Sequence, residues 1–268
     1  MPSPSFRNKI VTQYSESEGP FELSLAAREA SVLELERCRK EYIEARENHF
    51  LQHYIRYFGV SIFGSARIER GSSEWQFVHD LGKEMVSSFK VHVITGGGPG
   101  VMEAAHLGAR NAILERKEQG EISKARNIGI GIVLPHEQGL HPYVDIGNTH
   151  ETFTTRKQEF LDRSHGMYAS HGGLGTFDEI AEIICAKQCG QLEVEFPIVL
   201  HPQWEPHINL LQETLYKKKK EQNLTPTMKK DDLDDVVISD DIPEIVKIFK
   251  KRHDDWQKNI KAKVVKVI

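Results

Sequence analysis

The sequence predicts an α/β protein built on a doubly wound, mostly parallel sheet, with helices on both faces and helical extensions at its two ends. Two observations carry that expectation. Short apolar runs of strand character alternate with segments of helical periodicity, the pattern of successive βα units. Two of these runs end in glycine clusters that open directly into a helix, Thr95-Gly96-Gly97-Gly98-Pro99-Gly100 and Gly172-Gly173-Leu174-Gly175-Thr176. A chain of 268 residues, 39% of them apolar, has enough material for a sizeable core.

In order, residues 1–52 form an N-terminal arm and helix, 53–252 the sheet domain and 253–268 a helical tail. The arm, residues 1 to about 20, is rich in Pro, Ser and Gly. Leu23 to Phe50 is helix-forming and dense in both charge signs, a solvated face that packs through Leu25, Val32, Leu35 and Ile43. Gly59-Val60-Ser61-Ile62-Phe63 is the first buried strand and ends in the turn Gly64-Ser65-Ala66-Arg67. Trp75, Val78, Leu81 and Met85 recur at helical spacing. Val91 to Ile94 is the next strand, and Ala104, Ala105 and Ala109 beyond its glycine turn let the following helix pack closely.

Ile128 to Leu134 is a further strand, stopped by Pro135. A polar loop with His136, His141 and His150 follows, and Thr154-Thr155-Arg156-Lys157 opens a helix. Beyond the second glycine turn a helix runs to about Cys189 and a strand covers Phe196 to Leu200. A helix around His207 to Lys218, a short strand Val236 to Ile238 and a charged C-terminal helix complete the chain. The right-handed crossover rule brings the glycine turns to one edge, at the carboxyl ends of the strands.

Function is expected at that edge. From His165 to Ile180 a short apolar piece runs into three glycines and then into an amphipathic helix start. Glycines let the backbone turn sharply and present bare N–H groups, and a helix N-terminus directly behind them favours an anion. Glu179, one turn into that helix, stands beside a bound phosphate rather than on it. A phosphate seat flanked by a carboxylate suits a nucleotide-type ligand on which chemistry is done. Neither cluster is the GxGxxG fingerprint or the GxxxxGK(S/T) loop, and tight helix–sheet packing explains either one alone. Two clusters at two strand ends, the second followed by Thr and Glu, favour a phosphoester pocket.

Other classes fall on simpler grounds. A formal net charge of −4 lacks the electrostatic footprint of nucleic-acid binding. No apolar run approaches a membrane-spanning length, and the first residues lack a signal-peptide core. Three cysteines without a framework point to a reducing cytoplasm.

The ordered set GSAR, TGGGPGVMEAA, TFTTRK, GGLGTFDE and FPIVL, from about Gly59 to about Lys250, resembles the LONELY GUY (LOG) family. These are Rossmann-like phosphoribohydrolases, long mislabelled as lysine decarboxylases, that release the base from a nucleoside 5′-monophosphate. Gly96 to Met102 fits the family pattern GGGxxGxM, and Gly172 to Glu179 fits PGGxGTxxE except at its first residue. Arg156-Lys157 fits the upstream pair, at the family's distance from Glu179.

The resemblance implies that 53–252 is a nucleotide-binding catalytic domain in which Arg156 and Glu179 are the catalytic pair. Gly172, Gly173, Gly175 and Thr176 then hold the 5′-phosphate. The Gly97-Gly98 turn lines the base and ribose side, Ser65 and Met102 also bind the substrate, and Lys157 contacts the ligand. It implies a nucleoside monophosphate substrate, a homodimer, and neither a metal nor an organic cofactor. The chemistry is sound on its own terms. Breaking a C1′–N bond builds oxocarbenium-like charge on the ribose, which a carboxylate stabilises, or for which it activates water. An arginine binds phosphate bidentately or stabilises the departing base, and both roles stay open for Arg156. So does the base: adenine, the prenylated adenine of cytokinin activation, or another. The same fold also serves non-catalytic nucleotide or molybdenum-cofactor carriers, against which the intact Arg156/Glu179 pair argues. Decarboxylation requires a Schiff-base lysine and a pyridoxal phosphate site, and nothing marks one.

Two positions depart from the family: His171 stands for its proline and His165 for its usual aspartate. His171 is either a tolerated turn substitution or the source of an altered substrate or pH response. Cys185 and Cys189 share a helix face and are expected in the core rather than on zinc. Lys217 to Lys220 suit a helix C-terminus, and Asp231, Asp232, Asp234 and Asp235 lack a calcium-loop pattern.

Overall fold

The computed structural model describes residues 37, 40, 57–133 and 139–265, without the side chains of 261–265. The chain divides into two compact units, Met1–His49 and Phe50–Ile268. In the first, only Arg37 and Lys40 are described, both helical; the arm and the expected face of Leu25, Val32, Leu35 and Ile43 lie outside the described residues.

The second unit holds a seven-stranded sheet among the described residues. Its strands are β1 (Gly59–Phe63), β2 (His92–Thr95), β3 (Asn127–Ile132), β4 (Ile146–His150), β5 (Met167–Ala169), β6 (Ile198–Leu200) and β7 (Val236–Ile238). They lie in the order β4-β3-β2-β1-β5-β6-β7, and every pairing is parallel. The helices are α1 (Ser73–Ser88), α2 (Val101–Glu118), α3 (Phe153–Arg163), α4 (Leu174–Gln188), α5 (Glu205–Gln212), α6 (Lys218–Glu221) and α7 (Ile242–Val265). A π-helical turn, Glu213–Lys217, joins α5 to α6. No described helix is long and apolar enough to cross a membrane. The protein is thus an α/β fold of the Rossmann-like, doubly wound kind.

Strand alternation sorts the core into two layers. Val60, Ile62, Val93, Tyr168 and Val199 face α1, α2 and α7. Phe63, Ile94, Ile130, Met167, Ala169, Ile198 and Leu200 face α3, α4 and α5. The chain winds outward from β1 to β4, then returns through α3 to β5, beside β1. That reversal is the topological switch point, where the crevice outside the carboxyl ends of β1 and β5 opens.

The segment expected as a wholly polar loop contains the edge strand β4. Its sequence, Ile146-Gly147-Asn148-Thr149-His150, carries no apolar alternation because nearly all of it is exposed. The C-terminal helix is continuous from Ile242 to Val265, across the 252/253 boundary drawn from sequence.

Helices α1 and α2 pack backbone to backbone. A Cβ built on Gly108 would lie 1.8 Å from the carbonyl oxygen of His79, and one on Gly82 would lie 2.3 Å from that of Ala105. Helix propensity alone favours alanine over glycine by about 1 kcal/mol. The contact reverses that sign, so Gly108→Ala is expected to lose about 1–3 kcal/mol in urea denaturation. A more stable variant would mean that the two helices stand further apart.

Candidate active site

Three glycine-bearing turns meet at the switch point. The backbone of Ser65, just after β1, ties them together: its N–H donates to the His171 carbonyl (2.8 Å) and its carbonyl accepts from Val101 N–H (3.1 Å). Its hydroxyl accepts from Arg67 N–H at 3.0 Å. After β2, Gly97 takes a left-handed φ of 74° and donates its N–H to Thr95 Oγ1 (3.0 Å). After β5, Gln203 clamps Gly172 by both amide groups, its Nε2 donating to the glycine carbonyl (2.9 Å) and its Oε1 accepting from the glycine N–H (3.3 Å).

The two helices that follow the glycine turns begin without a side-chain cap. Ser72 and Thr152 cap α1 and α3 with their hydroxyls. Helices α2 and α4 begin instead at Gly100 and Gly173, without a side-chain cap, which leaves first-turn N–H groups for water or an anion. A Cβ on Gly173 or Gly175 would meet nothing within 4 Å, so no internal contact requires glycine there and the space beside them is open.

Arg156, in the first turn of α3, reaches across to Glu179 on α4. Its Nη1 donates to Glu179 Oε1 at 2.9 Å, its Nε donates to the Ile130 carbonyl at 3.0 Å, and its guanidinium lies 5.0 Å from the Phe160 ring centre. Gly96 lies close beneath: a Cβ there would be 2.7 Å from Arg156 Nη2. Burial pushes the Glu179 carboxyl up to about 7, while the charge and hydrogen bond of Arg156 pull it down. A carboxyl group so poised exchanges a proton near neutral pH.

A cleft of about 680 Å³ contains this pair and is lined by Ser65, Gly97, Gly98, Met102, Gly173, Gly175 and Thr176, all expected from sequence. Arg67, Leu140, Phe153 and Leu174 line it as well and were not singled out as site residues. Two expected residues stand elsewhere. Lys157 turns to Asp178 (2.7 Å) and Glu182 (3.4 Å), outside the lining. Gly172 lies behind the loop, where its missing side chain makes room for Thr176, whose Oγ1 would be 2.3 Å from a Cβ. A wider groove of about 890 Å³ between α1 and α7 holds Lys250 and Lys258, which pair with Asp254 and Asp255, and contains no glycine turn.

Both departures from the family pattern lie away from the cleft lining. His171 contributes a carbonyl, which any residue supplies, and its ring sits 3.8 Å from that of His201. His165 is buried beside Phe58 and Trp256 and accepts the Gly59 N–H at Nδ1 (3.1 Å). Of the loop histidines, His136 lies outside the described residues, His141 bonds to His106 (3.1 Å) and His150 ends β4. Cys185 and Cys189 are exposed rather than core, because their shared helix face turns to solvent. Among the described residues no group of three or more His, Cys, Asp or Glu is arranged to hold a metal ion.

Fold and site together define a Rossmann-like protein with an anion-ready edge and a part-buried acid–arginine pair. A family model described as "Possible lysine decarboxylase" matches residues 102–249, over half of the chain, and the chain belongs to that family, the LOG-like group its motifs resemble. A rice protein (Oryza sativa subsp. japonica) named "Probable cytokinin riboside 5'-monophosphate phosphoribohydrolase LOGL9" is 29% identical over 173 residues, covering 60% of this chain and 66% of the rice protein. The solved Moco carrier protein of Chlamydomonas reinhardtii has a TM-score of 0.50 at 20% identity, over 75% of this chain and 99% of its own. The molybdenum cofactor binding protein of Rippkaea orientalis has a TM-score of 0.47 at 20% identity, over 73% and 97%. At 20% identity the likeness to the Chlamydomonas protein is one of fold alone.

A carboxyl-selective titration, such as ¹³C NMR of glutamate-labelled protein, is expected to place Glu179 near 7. Arg156→Gln removes a lowering influence, so the midpoint moves to higher pH. A midpoint in the ordinary carboxylate range, or one that the substitution leaves in place, contradicts the burial argument.

Proposed function

We propose that this protein hydrolyses the N-glycosidic bond of a purine nucleoside 5′-monophosphate to free base and ribose 5-phosphate. The observation that carries the reading is the part-buried contact of 2.9 Å between Arg156 and Glu179, beside a helix N-terminus without a side-chain cap. The 5′-phosphate sits on the first-turn amides of α4, over the open space at Gly173 and Gly175. The ribose then lies against Glu179.

As the C1′–N bond breaks, its electron pair leaves with the base and positive charge grows on the ribose, which the carboxylate stabilises. Water adds its oxygen to C1′, Glu179 takes the proton released, and that proton is available to the departing nitrogen. Arg156 holds the carboxylate in place by a charge-assisted hydrogen bond. Val133, Phe153 and Leu174, each more than half exposed along the cleft, offer apolar surface to a base. The name of the rice relative points the same way. Decarboxylation is a poor fit, since no lysine is among the described residues of the cleft lining. A homodimer belongs to the same proposal.

A panel of AMP, GMP, IMP, CMP and isopentenyl-AMP, with base and ribose 5-phosphate quantified by chromatography, tests it. Wild type is expected to release base from a purine nucleotide, and Glu179→Gln to slow that release by about 100-fold or more. Tight AMP binding without any release would replace hydrolysis with a carrier function.

A further inference from the structure

One wall of the cleft is a strap, residues 139–145, that neither the glycine turns nor the acid–arginine pair explains. Gly139 and Leu140 line the cleft at the end formed by Gly97, Gly98 and Met102. Leu140 seats its methyl groups in a nest of missing side chains. A Cβ on Gly97, Gly131 or Gly147 would lie 2.3, 2.9 or 2.4 Å from its δ-carbons. Three glycines from three separate segments thus leave room for one leucine.

The strap is fastened from below by a chain of polar groups with a single direction. His141 N–H donates to the Gly97 carbonyl (2.9 Å), which joins strap to turn. Tyr143 N–H, which can only donate, gives its hydrogen to His141 Nδ1 (3.2 Å). His141 Nε2 therefore carries a hydrogen and donates it to His106 Nδ1 (3.1 Å). His106 Nε2 in turn donates to the Val93 carbonyl on β2 (3.1 Å). Asn127 adds a second anchor, its Nδ2 donating to the carbonyls of His106 (2.8 Å) and Tyr143 (2.9 Å). His106 is wholly buried, and burial holds both rings well below the ordinary histidine range, to about 3 for His106 and about 4 for His141. Both stay neutral at working pH, so each ring keeps one donor and one acceptor.

We propose that Leu140 determines which bases the cleft admits, and that the His106–His141 pair is the positioning device that holds it against the glycine turn. The inference rests on the nucleotide reading above, with the phosphate at α4 and the base at the Gly97 end. Hydrophobic pocket walls discriminate by about 10–200-fold per methylene.

The test compares Leu140→Ala, His141→Ala and His141→Gln on AMP, isopentenyl-AMP and ribose 5-phosphate, which has no base. Leu140→Ala should raise kcat/KM for isopentenyl-AMP relative to AMP by about tenfold or more. His141→Ala should raise KM for AMP several-fold with kcat nearly unchanged, and leave inhibition by ribose 5-phosphate as in wild type. His141→Gln, whose amide N–H can still reach His106, should recover much of that loss. Unchanged selectivity in Leu140→Ala, or equal weakening of AMP and ribose 5-phosphate in His141→Ala, overturns the proposal. If wild type binds these compounds but turns over none, hydrolysis fails alone, and the same ratios read as Kd by calorimetry decide this inference. If it binds neither AMP nor ribose 5-phosphate, both readings fall.

Discussion

A carboxylate and a guanidinium paired in a part-buried contact at the reversal point of the sheet set the terms for their surroundings. Removing one member of such a pair strands the other charge with its desolvation uncompensated. Arg156 is also held through its Nε, which donates to the Ile130 carbonyl, and against the ring of Phe160. Its position needs α3 to start beside the end of β3, which the Thr152 cap secures, and a residue without a side chain at 96. Glu179 needs α4 to begin immediately after β5. Local geometry and charge pairing therefore constrain one another, and a change in either turn is felt at the acid.

The second constraint is room. Glycines that satisfy internal contacts, such as Gly172 against Thr176, sit next to glycines that touch nothing in the chain, Gly173 and Gly175. The first kind is explained by packing. The second kind leaves backbone N–H groups and open space together, which is what an anion at a helix N-terminus uses. Ser65, through its backbone, and Gln203, through its side-chain amide, brace this arrangement from either side, so the seat is shaped before a ligand arrives.

Fold class and the glycine-turn part of the cleft were legible because they rest on local signals: strand-length apolar runs, helix periods and glycines at strand ends. Strand β4 was not, since an exposed edge strand carries no apolar alternation. Lys157 and Gly172 show the limit of reading a motif as a contact list. Within a motif, one residue faces the ligand and its neighbour faces Asp178 or Thr176, and spacing alone does not separate them. Gln203 and Leu140 were silent for a different reason. Each acts on a segment distant in sequence, and nothing in their own neighbourhood announces the partner. The cysteines erred the other way, because a shared helix face says nothing about whether that face is buried.

Whether Arg156 and Glu179 work as one unit decides the account. The direct measurement is a double-mutant cycle on kcat/KM for base release from the best nucleotide, with Arg156→Gln, Glu179→Gln and the double variant. A coupled pair predicts that the double variant is no slower than the slower single one. Losses that simply multiply would contradict it, and would make the contact an accident of packing rather than the basis of the chemistry.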